Sequence, residues 1–259
     1  MVRLAPSEHD RFLQSCPGSI DLTFGGAESN VAASISILGG SSRFVSALPK
    51  HAIADAFVRQ MRGFKVDVDH VLRREAGRFG IYYVETGANQ RPSRVIYDRD
   101  YSAVSMCSGE EYDWDAIFAD AQWLHISGIT LAISETATHA AILAAEKAQA
   151  AGVKVSCDLN FRKNLWRWRS GSDARSLARS IMPDFLENVN VIIGNEEDAA
   201  DVLDIHAGDT DVHSGSLEIA HYPDVARQIA QRFNNVDQVA ITLRESISAT
   251  HNNWGAMLF

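Results

Sequence analysis

Residues 23–34 read T-F-G-G-A-E-S-N-V-A-A-S. Two adjacent glycines, Gly25 and Gly26, run into a polar triplet, Glu28-Ser29-Asn30, and an apolar helical pattern follows. A joint of this kind leaves free backbone N–H groups at a helix start, where a small oxygen-rich ligand is held. Glycine lets a ligand approach the backbone closely, and Glu28 and Asn30 add side-chain acceptors and donors. An ordinary loop–helix junction would show the same glycine pair, so the rest of the chain has to decide between the two.

The chain has 259 residues, enough for one large α/β domain or two smaller ones. Its 46% apolar and 22% charged content is that of a globular chain that buries a core. No apolar run approaches the roughly 18 residues of a membrane span. The opening M-V-R-L-A-P-S-E-H-D lacks the apolar stretch of a secretory signal. Cys16, Cys107 and Cys157 are far apart and form no C-x-x-C, so neither a disulfide framework nor a zinc knuckle is expected, and a cytoplasmic setting fits. The net charge of −9 argues against non-specific binding to nucleic acid or a membrane surface. It leaves room for an anionic substrate, which a local cluster of arginines and N–H groups can hold.

Outward from the glycine pair, strand and helix patterns alternate. Val31, Ile35 and Leu38 recur at helical spacing until Gly39-Gly40, and residues 43–48 read as a strand. Ile53, Phe57 and Met61 make the next helical stripe. Residues 77–105 differ: F-G-I-Y-Y-V-E-T and S-R-V-I-Y-D are β-rich runs joined by the turn-rich G-A-N-Q-R-P, with no helix between. They read as antiparallel strands set off from the alternating body, a flap or lid. Alternation resumes with the buried-strand candidate W-L-H-I-S-G, then a long Ala-rich helix capped by Ser134 and closed at Gly152. The strand V-K-V-S-C-D leads into the loop L-N-F-R-K-N-L-W. A helix over about 173–182, the strand N-V-I-I-G and the helix N-E-E-D-A-A-D-V-L follow. Residues 204–223 are polar and read as an exposed insertion, 224–233 as a helix and 238–243 as a strand. This repetition argues for a mainly parallel sheet flanked by helices, with ligands outside the carboxyl ends of the strands. Loops after Cys157, Gly194 and Leu243 should then converge.

Three groups of residues can carry chemistry. Asp158, Asn160 and Arg162 in D-L-N-F-R suit a charged, hydroxylated ligand, Arg162 by its planar fork; a salt-bridged loop is the plainer alternative. Asn195, Glu196, Glu197 and Asp198 stand at a helix start, where acidic groups either cap the helix or order water around Mg²⁺. Tyr82, Tyr97 and Arg99 lie on the β-rich runs and could reach over a substrate. The run R-K-N-L-W-R-W-R is too brief in an acidic chain to read as a nucleic-acid surface. The histidines show no metal-binding spacing, and there is no G-x-S-x-G, Walker A or G-x-G-x-x-G motif.

In order along the chain, G-G-A-E-S-N-V-A, V-I-Y-D-R, L-H-I-S-G-I-T, D-L-N-F-R-K-N-L-W, N-E-E-D and T-L-R-E-S-I-S-A resemble the ribokinase-like (PfkB) sugar kinases. Within that family the closest likeness is to the branch acting on 2-dehydro-3-deoxy-D-gluconate. The resemblance implies a three-layer α/β/α sandwich with a small β-sheet lid, here one incomplete domain over 1–259 with lid strands within about 77–105. It implies transfer of the γ-phosphoryl group of ATP, with Mg²⁺, to a sugar acid, giving the 6-phosphate. Gly26, Ala27, Glu28, Ser29 and Asn30 match the sugar-acid segment, and Tyr82, Tyr97 and Arg99 match lid-side substrate contacts. Arg162 matches an arginine near both substrate and transferred phosphate, supporting charge in the transition state. Asn160, Asn195, Thr242 and Arg244 match nucleotide-side positions, and Glu196 and Asp198 an indirect, water-mediated metal contact. Oligomers of the family form through the lid.

Two departures accompany the likeness. Asp198 stands where the family usually has Glu. The glycine-rich G-A-G-D segment that supplies the family's general-base aspartate does not occur, so no catalytic base is assigned. The opening M-V-R-L-A-P reads as the tail of a first strand, and the chain reads as truncated at both ends and inactive alone. The competing expectations are a fructokinase-like or other PfkB sugar kinase, and a non-catalytic sugar-acid-binding remnant.

Overall fold

A computed structural model describes residues 1–206 and 222–259; the insertion expected at 204–223 lies almost wholly outside the described residues. The chain divides into two compact units, Met1–Cys107 with Ile247–His251, and Ser108–Ser246 with Asn252–Phe259.

The first unit contains β1 (Val2–Ala5), α1 (Phe12–Ser15), β2 (Asp21–Phe24), α2 (Ala27–Ile37), β3 (Ser46–Pro49), α3 (Ala52–Gly63), β4 (Val71–Arg74), β5 (Ile81–Glu85) and β6 (Arg94–Asp98). Four of its strands form one sheet in the order β2-β1-β5-β6, and β3 and β4 pair in parallel. The β-rich runs are β5 and β6, antiparallel as their pattern indicates. They are half of a larger sheet rather than a two-stranded flap, because β5 also pairs in parallel with β1. The opening segment forms β1, seated between β2 and β5.

The core of this unit gathers on α3. His51 caps the helix, its Nδ1 accepting from the Ala54 N–H at 3.2 Å, and Ala54, Phe57 and Met61 form the buried face. The Phe57 ring meets Phe24, Phe44 and Phe79 edge-on at centroid distances of 5.5, 5.8 and 5.7 Å, the arrangement that aromatic quadrupoles favour. Ile53 belongs to the expected stripe but is half exposed.

Helix α2 corrects the sequence reading. Its apolar stripe of Val31, Ile35 and Leu38 faces outward, and the buried face is Ser29, Ala32 and Ser36. Small side chains let the helix approach closely enough for hydroxyl chemistry. Ser42 Oγ donates to the Ala32 carbonyl at 2.7 Å and lies 2.8 Å from Ser36 Oγ. Periodicity weighs apolar residues, and here the contact is made by small polar ones.

The second unit contains α4 (Trp114–Phe118), β7 (Trp123–Ser127), α5 (Gly128–Ala132), α6 (Glu135–Ala150), β8 (Lys154–Asp158), α7 (Ala174–Leu186), β9 (Val191–Gly194), α8 (Glu196–Leu203), α9 (Tyr222–Arg232), β10 (Gln238–Ser248) and β11 (His251–Leu258). The sheet order is β11-β10-β9-β8-β7, with β7 through β10 parallel. Strand β11 returns along β10, Val239 and Phe259 exchanging both backbone bonds at 3.0 and 2.9 Å. The Ser134 cap read from sequence is present, Oγ accepting from Ala137 N at 3.0 Å, and the structure adds an N-cap at Asp173, which accepts from Arg175 and Ser176. Helix α7 runs four residues past its expected end at Met182. Pro183 does not stop it, because Phe185 and Leu186 beyond it are fully buried. Strand β10 also runs past its expected end, to Ser248, because β11 extends the ladder. No loop follows Leu243.

Truncating Phe57 should be costly and truncating Ile53 should not. Phe57→Ala is expected to lower unfolding free energy by about 3–5 kcal/mol and Ile53→Ala by under about 1 kcal/mol. Urea titration of both variants checks this.

Candidate functional site

In the first unit two candidate site residues, Tyr82 and Tyr97, share one sheet face. Tyr82 stands directly opposite Tyr97 in the β5–β6 ladder, and Arg99 follows two residues beyond Tyr97. A Cβ on Gly25 would lie 2.5 Å from the Tyr82 hydroxyl oxygen, so only glycine allows the tyrosine tip to rest on this backbone. Burial raises the Tyr82 phenol above its ordinary pKa. Arg99 is buried, and its Nε and Nη1 have no hydrogen-bond partner. Burial lowers its pKa, while Glu28 opposes that shift most strongly among the neighbouring groups.

The glycine joint itself resolves into two kinds of residue. Gly26 is the N-cap of α2, and its carbonyl accepts the Asn30 N–H at 2.9 Å. Ser29 is buried and spends its hydroxyl on the same carbonyl at 3.1 Å, so its part is to fix the helix start. Ala27 opens the helix, and Glu28 and Asn30 present side chains from its first turn, Asn30 exposed and Glu28 partly so.

In the second unit the ends of β7, β8 and β9 build the site. Asp158 closes β8, in register with Ser127 and Ile193. The loop after it is fixed by the Leu159 N–H donating to the Ile193 carbonyl and the Phe161 N–H donating to Asp198 Oδ1, both at 2.8 Å. Asn195 caps α8 and forms a capping box with Asp198: the Asp198 N–H donates to Asn195 Oδ1 at 2.8 Å and Asp198 Oδ2 accepts from Asn195 N at 3.3 Å. The aspartate at the family's glutamate position thus has both oxygens engaged by backbone. Asn160 Nδ2 donates to Asp158 Oδ2 at 3.0 Å. Arg162 is exposed and contacts the Phe161 carbonyl through Nη1 at 3.2 Å.

The charges here oppose one another. Burial, then repulsion from Asp198, push Asp158 up to about 6, against the pull of Arg162 and Asn160. Burial also raises Asp198. Among the described residues no three metal-ligating side chains cluster. A Mg²⁺ bound here would keep water ligands and reach the protein through them. The partly buried Asp158 carboxylate and the buried, unpartnered Oδ1 of Asn160 suit that mode.

Thr242 and Arg244 correct the expectation that they end a strand. They lie inside β10, Thr242 Oγ1 donating to the Gly194 carbonyl at 3.4 Å. Arg244 is directed to the hairpin: its Nε donates to Asn252 Oδ1 at 3.0 Å and its guanidinium covers Trp254. The Glu196 side chain lies outside the described residues. Gly25, Gly128 and Asp158 are site-forming residues missing from the set carried over by resemblance. The glycine directly after the strand in L-H-I-S-G was the available signal for Gly128.

Residues 13–243 match the pfkB family of carbohydrate kinases. A 2-dehydro-3-deoxygalactonokinase of Haloferax volcanii is 36% identical over 79% of this chain and 61% of its own length. A fructokinase of Salmonella typhimurium is 30% identical over 76% of this chain and 58% of its own length. The crystal structure of a 2-dehydro-3-deoxygluconokinase from Thermotoga maritima matches all of this chain and 74% of that one, with a TM-score of 0.89 and 40% identity. The architecture is therefore the ribokinase-like α/β fold of sugar kinases. The chain belongs to the pfkB family of carbohydrate kinases. It spans about three-fifths of the length of the curated relatives it matches.

Asp158 ties the stability of the second unit to pH. A carboxyl raised in the folded state stabilises it below the unfolded pKa and loses that contribution as pH rises through the folded value. Stability should therefore decline between about pH 4 and 6 on this account. Asp158→Asn should be more stable than the parent at pH 8 by roughly 1–3 kcal/mol, with the gap closing below about pH 4. Denaturant midpoints at both pH values check the sign.

Proposed function

We propose that this chain serves ATP-dependent phosphorylation of a sugar acid, 2-dehydro-3-deoxy-D-gluconate, to its 6-phosphate. The observation that carries the reading is Arg99. A buried guanidinium with two donor nitrogens, Nε and Nη1, left without partners calls for an anion, and a carboxylate supplies charge-assisted acceptors for them. A neutral hexose offers these donors only hydroxyl acceptors, without the charge assistance of a carboxylate. The names of two relatives, a 2-dehydro-3-deoxygalactonokinase and a 2-dehydro-3-deoxygluconokinase, agree with a sugar-acid substrate.

The residues divide the work. Arg99 takes the carboxylate, Tyr82 and Tyr97 donate to its neighbouring oxygens, and Glu28 and Asn30 bind hydroxyls. Arg162, exposed and barely engaged, neutralises charge on the group in transit. Asn160, Asn195 and Thr242 belong to the nucleotide side, where the residues fit Mg²⁺ through water. ATP supplies the phosphoryl group, and such transfers need positioning and charge neutralisation above all. No residue of this chain is assigned proton abstraction.

Binding separates this reading from a fructokinase-like one. Calorimetry should show the sugar acid binding at least about tenfold tighter than fructose, and Arg99→Gln should remove that preference while leaving fructose unchanged. Equal affinity for the two sugars overturns the substrate assignment.

The same reading assigns an oligomer to the four-stranded sheet. Leu22, Leu4, Tyr83 and Ile96 stand in one register row across all four strands, and Leu22 and Ile96 are about half exposed. Leu4 packs on the core and Tyr83 on Phe12, so the exposed apolar surface is the two ends of the row, which pairing of two copies would cover. Light scattering should show a dimer that Ile96→Glu converts to monomer.

A further inference from the structure

Beyond its place among the carboxylates of the second unit, Asp158 has no part in the division of work above, yet three features converge on it. Its carboxylate holds one end of the Asn160 amide, Nδ2 donating to Oδ2 at 3.0 Å. An ionised carboxylate only accepts, so this bond sets which way the amide points. The other end, Asn160 Oδ1, is buried with no hydrogen-bond partner. Asn160 also sits in the left-handed region at φ 39°, a conformation that asparagine tolerates and that costs other side chains more. The flanking residues are pinned by backbone bonds at Leu159 and Phe161, so the side chain of Asn160 is the part left to orient.

We propose that Asp158 is a positioning residue: by holding Nδ2 of Asn160 it presents Oδ1 as a ready acceptor for an O–H donor brought by the bound ligands. This rests on the sugar-kinase reading above. An acceptor oxygen cannot bind a bare phosphate oxygen, so the donor is a hydroxyl of the sugar acid or a water on the nucleotide's metal ion. The charged groups facing Asp158 are Asp198 on α8 and Arg162 on its own loop. Burial and Asp198 both disfavour its ionised form, so an asparagine or alanine would be the more comfortable occupant for stability alone. A residue that costs stability and orients an otherwise unspent acceptor is the pattern of a functional site.

The test compares Asp158→Ala, which removes the acceptor, with Asp158→Asn, whose own Oδ1 can still hold Nδ2. Calorimetry is run with 2-dehydro-3-deoxy-D-gluconate, with Mg²⁺–ADP and with metal-free ADP, and thermal melts confirm folding of both variants. Asp158→Ala should weaken one titration by at least about tenfold, and Asp158→Asn should recover to within about threefold of the parent. Loss in the sugar-acid titration identifies a sugar hydroxyl as the donor. Loss with Mg²⁺–ADP but not with metal-free ADP identifies metal-bound water. Parental affinities in Asp158→Ala, or equal losses in both variants, overturn the positioning role alone. A parent chain that binds none of the three ligands overturns the sugar-kinase reading and this inference together.

Discussion

The Leu159 carbonyl runs so close to Gly128 that a Cβ there would stand 2.1 Å from its oxygen. Much of the second unit's site follows from that approach. Gly128 directly follows β7 and opens α5, so strand turns into helix with no connecting loop to absorb a displacement. On its other side Leu159 is bonded to the Ile193 carbonyl, and its side chain fills the space beside Gly194. The loop after β8 is thus threaded between the glycines beside β7 and at the end of β9. With Leu159 fixed, Asp158 is left beside Asp198 and Asn160 is turned into its left-handed conformation. The geometry that permits function and the geometry that raises a carboxyl pKa have a single origin.

The two units hold complementary kinds of unmet demand. The first buries a guanidinium with spare donors beside a tyrosine pair. The second buries a spare acceptor beside carboxylates held at the end of a parallel sheet. Buried polar atoms without partners are uncommon in folded proteins and each carries a desolvation cost. At Arg99 and Asn160 that cost falls on residues that resemble a kinase's ligand contacts, although Ser102 and the core residue Trp166 carry the same cost elsewhere.

Features dictated by neighbouring residues were legible in the sequence. The caps at Ser134 and Asn195, the buried strands of the parallel sheet and the glycine joint before α2 all arise from chemistry within a few residues. Features decided by distant partners were not. Strand β10 is long because β11 returns beside it, and its outer half is exposed and polar, which mutes any strand signal. Helix α7 passes a proline because the core claims Phe185 and Leu186. In the site, residue types were readable but their availability was not. Ser29 and Asp198 looked as free as Arg99, and only the fold shows the first two bonded to backbone and the third still with donors to spare.

Helix α2 carries a consequence for how specificity can drift. Its contact with the unit's interior is made by serine and alanine, so the backbone lies close and small increments of volume on that face must translate the whole rigid element. The N-terminal end of that element is Gly26, with Glu28 and Asn30 one turn in. A lineage could therefore retune which hydroxyls are gripped through changes at positions such as 32, 36 or 42, none of which belongs to the candidate site. Substrate range in this architecture would be inherited partly through packing, and sequence comparisons restricted to contact residues would overlook it.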